Sequence, residues 1–114
     1  TVGASIAFVD LRSIVRRGDM VEFTMEVRFR NQRTADGPDG LRSRMRADCA
    51  ALRWSSSSST LYRGATALSS SGPTEMVPAG EGTNGYQVVT GVCTGRFESG
   101  PIADPLAHAR QALP

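Results

Sequence analysis

Met20-Val21-Glu22-Phe23-Thr24-Met25-Glu26-Val27-Arg28-Phe29-Arg30 alternates without interruption. In an extended chain Val21, Phe23, Met25, Val27 and Phe29 line one face, and Glu22, Thr24, Glu26, Arg28 and Arg30 the other. A helix would scatter the same apolar side chains around its circumference. The period of two therefore specifies an antiparallel strand with one covered face and one polar face.

Upstream, Ile6 to Val15 is a moderately apolar run with β-branched residues and no breaker, which reads as a second strand. Arg16-Arg17-Gly18-Asp19 joins the two as a turn, with Gly18 free to take positive φ. Downstream, Asn31 to Gly40 is a long polar loop. Leu41 to Trp54 then alternates again, with Leu41, Met45, Ala47, Cys49 and Ala51 on one side and Arg42, Arg44, Arg46 and Asp48 on the other. The serine run Ser55–Ser59 reads as a flexible connection. Thr60-Leu61-Tyr62, Arg63-Gly64 and Ala65–Ser69 form a weaker hairpin, and Ser70 to Gly85 a loop rich in Ser, Gly and Pro. Tyr86 to Cys93 fits helix or strand. We read it as a short helix with Asn84 as N-cap, because a segment returning over the sheet must satisfy its own backbone groups. Asp104 as N-cap, Pro105 and the spacing of Leu106, Ala109 and Leu113 predict an amphipathic helix over 102–113.

At 114 residues the chain makes one domain, 1–114, with a single core at about 6–94 and the helical extension 102–113. Its 39% hydrophobic and 6% aromatic content supports a thin core, one covered sheet face rather than a deep sandwich. All thirteen basic residues are arginine, yet the net charge is only +2, too small an excess for a dedicated nucleic-acid binder. No apolar run reaches the length of a membrane span. The start at Thr1 fits a chain from which a signal peptide has been removed, or an internal fragment. Cys49 and Cys93 allow one intramolecular bridge or two reduced buried thiols, and the residues alone leave both open. A bridge would close a loop of roughly 45 residues, worth about 4 kcal/mol by chain entropy. It would also bring the segment carrying Cys93 across the apolar face on which the alternation places Cys49.

The ordered set Val9-Asp10, Ser13-Ile14, Gly18, the alternating second strand, Asp48-Cys49-Ala50, Tyr62-Arg63-Gly64, Pro78-Ala79-Gly80 and Val92-Cys93 resembles the surface-adhesin protein E-like family of Gram-negative bacteria. The resemblance runs over roughly residues 7 to 94, and Arg96 to Pro114 extends past it. It implies an exported α+β domain with a meandering antiparallel sheet of about five to six strands. Cys49 and Cys93 would be joined, tethering a C-terminal helical segment onto one face. It further implies a location in the periplasm, on the outer-membrane surface or outside the cell, and binding to extracellular-matrix or other protein partners.

The remaining motifs carry little chemistry. Arg17-Gly18-Asp19 spells an integrin-binding tripeptide at a hairpin tip, but Gly-Asp is also ordinary turn chemistry. Arg42, Arg44 and Arg46, with Arg28 and Arg30 on the neighbouring strand, could hold an acidic partner or a sulfated glycan. The competing reading pairs them across the sheet with Glu22 and Glu26. His108 is the single histidine and has no companion at metal-ligand spacing. No serine sits in a nucleophile elbow and no triad can be assembled. The expectation is a non-enzymatic binding or envelope module without metal or cofactor. The alternative is a periplasmic structural or assembly domain without a host ligand. Exposed edge strands would also allow a homodimer.

Overall fold

The computed structural model describes residues 5–29 and 37–97. The predicted helix over 102–113, with His108, and Arg30 with most of the loop that follows it, lie outside the described residues. Among the described residues, six strands, β1 (Ser5–Arg17), β2 (Met20–Phe29), β3 (Gly40–Asp48), β4 (Arg53–Arg63), β5 (Thr66–Ser71) and β6 (Val77–Pro78), precede one helix, α1 (Asn84–Thr94). The strands form a single antiparallel meander, β1-β2-β3-β4-β5, and β6 returns to pair with β4.

β2 behaves as its period demands. Val21 and Phe23 are wholly buried and Met25 nearly so, and β3 sets Ala47 and Met45 beside them. α1 lies over this face with Val88, Val89 and Val92, and Ala79 closes the edge. The core is thus one sheet face under one helix, and each valine, phenylalanine or methionine buried there contributes on the order of 1.5–3 kcal/mol. The cystine Cys49–Cys93, with Cα atoms 5.7 Å apart, fastens the end of β3 to the last turn of the helix.

Several local features differ from the sequence reading. The β3 alternation stops at Asp48. Cys49 belongs to the four-residue turn Cys49–Leu52, where the Asp48 carboxylate accepts from the amides of Ala50 and Ala51. Leu52 closes this turn at φ 52, a conformation costing a β-carbon residue about 1 kcal/mol or more. Packing against the core and the hydrogen bond from the Ala79 amide to its carbonyl hold it there.

The serine run is not a connection but the middle of β4. Ser59 and Ser43 share a 2.8 Å hydroxyl contact across β3–β4, Ser57 donates to the Arg44 carbonyl, and Ser56 pairs with Thr74 through both hydroxyl and amide. Hydroxyl pairs replace apolar ones in this part of the sheet, so the strand carries no hydrophobic periodicity.

α1 is a helix, as read, but its N-cap is Thr83 rather than Asn84. The Thr83 hydroxyl accepts from the Tyr86 amide at 3.1 Å, and Gly95 closes the other end by donating to the Gly91 carbonyl. Val88, Val89, Thr90, Val92 and Thr94, with Gly85 and Gly91, are poor helix formers. Tertiary packing therefore stabilises this helix more than its own propensity does.

Candidate functional site: the open face of the sheet

Opposite the helix, the sheet presents the side chains that alternation sends outward. Strand register aligns them in rows: Val15, Glu22, Arg46 and Ser55 in one, and Arg17, Met20, Asp48 and Arg53 in the next. Thr24 stands beside Arg44, and Glu26 beside Arg42.

A bulge in β1 decides which apolar side chains reach this face. Asp10 pairs with Thr24 and Val15 with Glu22, so Leu11–Ile14 stand opposite the single residue Phe23. In a regular strand Ile14 would point outward and Val15 inward. The excursion reverses them: Ile14 packs against the core, and Val15 is 42% exposed. Ser13 holds the bulge, its hydroxyl donating to the Asp10 carbonyl at 2.6 Å and accepting from the Thr24 amide at 2.7 Å. Arg44 reaches across β2 to donate to the Ser13 carbonyl and the Thr24 hydroxyl.

The five arginines singled out in the sequence therefore divide. Arg44 is partly buried and braces the bulge. Arg28 is 6% exposed, although alternation assigns it to the open face. Its guanidinium lies over Gly40, meets Glu26 at 2.7 Å and Asp39 at 3.3 Å, and donates to the Gly64 carbonyl at 2.8 Å. Asp39 in turn accepts from the Gly64 amide, so this cluster locks the β4–β5 turn to β2. Arg42 and Arg46 are exposed, and among the described residues neither makes an ion pair. They stand opposite Glu26 and Glu22 in register, but the ion pairs to those carboxylates expected from the sequence do not form. Arg30 is outside the described residues.

Arg17, Gly18 and Asp19 form the exposed tip of the β1–β2 hairpin, a two-residue turn with Gly18 at φ 63. The tip is anchored. The Cys49 amide donates to the Asp19 carbonyl at 2.8 Å, and Arg16 donates to the carbonyls of Gly18 and Cys93. A cation at the carbonyl end of α1 also complements the helix dipole.

Next to the tip, Val15, Arg17, Met20, Glu22 and Arg46 line an open depression of about 280 Å³. Arg17 and Arg46 are legible as candidates in the sequence, Val15 and Met20 are not. The break in the pattern of β1 between Asp10 and Val15 was the available signal. Among the described residues no group of His, Cys, Asp and Glu could hold a metal ion, and no helix is long and apolar enough to cross a membrane.

No curated protein and no solved structure matches the chain. The model of one protein family, surface-adhesin protein E, does match, over residues 2–94, a span that includes every described strand, both cysteines and the whole of α1. The chain belongs to the surface-adhesin protein E family.

Proposed function

We propose that this chain is an exported, non-enzymatic binding module of adhesin type, which presents the open face of its sheet to a protein partner. The observation that carries the reading is that Arg42 and Arg46 are exposed on β3, a strand paired on both sides, and make no ion pair among the described residues. Helix and cystine lie on the opposite face, and among the described residues no element packs over this one. An exposed guanidinium group pairs with a carboxylate through two parallel hydrogen bonds, which must offset about 0.5–1.5 kcal/mol for each side chain immobilised. The cystine supports export to an oxidising compartment, the periplasm, the outer-membrane surface or the medium. The family supports protein binding as the activity.

Interferometry against immobilised extracellular-matrix proteins tests the reading. Saturable binding that weakens with added salt is expected, because exposed charges are screened. Absence of binding to every matrix protein would return the chain to a structural or assembly role in the envelope.

A further inference from the structure

The depression beside the hairpin tip has a more specific composition than the arginine row. Two apolar side chains, Val15 and Met20, and three charged ones, Arg17, Glu22 and Arg46, line it. Register places Glu22 between Val15 and Arg46, and Met20 beside Arg17. Among the described residues, none of these three charged groups makes an ion pair.

We infer that this depression binds an acidic protein segment that carries an apolar side chain flanked by carboxylates. The apolar side chain covers Val15 and Met20, and carboxylates on either side meet Arg17 and Arg46. Glu22 favours a peptide over a sulfated polysaccharide. Both ligands carry hydrogen-bond donors and both feel the repulsion of this carboxylate. A sulfated polysaccharide, however, bears dense negative charge along its whole length, whereas a peptide can set an apolar side chain between its carboxylates and turn a backbone amide toward Glu22. Val15 supports the same choice, since an aliphatic surface gains nothing from a sulfate but gains burial from a hydrophobic side chain. The surface is preformed: Ser13 and Arg44 hold the bulge that turns Val15 outward, and Arg16 and the Cys49 amide fix the tip that carries Arg17. The inference rests on the protein-binding reading above and assigns it a place and a partner chemistry.

The test is a nuclear magnetic resonance titration of the isotope-labelled chain with a synthetic hexapeptide, four glutamates flanking a phenylalanine and a leucine. The backbone resonances of Val15, Arg17, Met20, Glu22 and Arg46 are expected to shift saturably. The same peptide with glutamines for glutamates is expected to bind about tenfold more weakly, as is the glutamate peptide to an Arg17→Gln/Arg46→Gln variant with an otherwise unchanged spectrum. Arg12→Gln, an exposed arginine outside the depression, should leave affinity unchanged. The assignment is overturned by no binding, by shifts centred elsewhere, or by equal affinity for the two peptides. Tighter binding of a heparin hexasaccharide at the same residues would also overturn it. Interferometry separates this inference from the reading beneath it. Equal binding of wild type and double variant to a matrix protein sinks the depression alone, whereas no wild-type binding to any matrix protein sinks the adhesin reading.

Discussion

The Arg16 guanidinium donates to the Cys93 carbonyl at 2.8 Å, and the Cys49 amide donates to the Asp19 carbonyl at the same distance. The hairpin tip, the β3–β4 turn and the end of α1 therefore meet at one place, which the Cys49–Cys93 cystine closes covalently. The exposed Arg17-Gly18-Asp19 turn is held by the same contacts that hold the helix. Order on the open face depends on order on the covered one.

Replacing both cysteines by alanine should lower stability by about 2–5 kcal/mol in urea unfolding. The helix, with its valines, threonines and glycines, should fray first. Circular dichroism should show lost helical signal before lost sheet signal, and simultaneous loss would contradict this ordering.

Arg28→Met should cost about 3 kcal/mol, because it leaves Glu26 and Asp39 without their buried partner. Gly40→Ala should cost about 1–3 kcal/mol through the same cluster, since its β-carbon would stand 2.5 Å from Arg28 Nη1. Denaturant titration of the two single variants and the double variant checks both. Strictly additive losses would show that Gly40 and Arg28 are not coupled.

Two helix glycines should respond oppositely to alanine. A β-carbon at Gly85 would lie 2.7 Å from the Trp54 ring, which packs against the core, so Gly85→Ala should destabilise by about 1–3 kcal/mol despite its better helix propensity. A β-carbon at Gly91 would meet Phe97, which is partly exposed just past the helix cap and free to swing away. Gly91→Ala should therefore be neutral or stabilising by up to about 1 kcal/mol. Thermal unfolding of the two variants separates them.

Ser56→Ala removes the hydroxyl contact to Thr74 and should cost about 1 kcal/mol. Hydrogen exchange should quicken at the Thr74 amide, which donates to the Ser56 carbonyl. Unchanged protection there would mean that the return of the chain beside β4 does not depend on the serine pair.

How much was legible in the sequence follows from where each signal resides. β2 and β3 carry their own period, so the sheet, its covered face and the outward arginines could be read directly. β4 could not, because what makes Ser56 and Ser59 strand residues is hydroxyl partners on Thr74 and Ser43, distant along the chain. The alternation places Cys49 on the covered face, although β3 ends at Asp48, and its pairing with Cys93 is legible only through the family resemblance. Arg28 read as an outward arginine because its cover comes from Asp39, Gly64 and the missing side chain of Gly40, none of which a period reports. The depression was hidden for a related reason. Val15 reaches the open face only because the bulge at Leu11–Ile14 reverses the pleat. A regular reading of β1 places it in the core.

The rest stands on the Cys49–Cys93 cystine, which fastens the helix over the covered face of the sheet. Intact mass of the chain recovered from a bacterial periplasm, alkylated before and after reduction, tests it most directly. No label is expected on the native protein, and two labels after reduction. Two labels on the native, unreduced protein would contradict it.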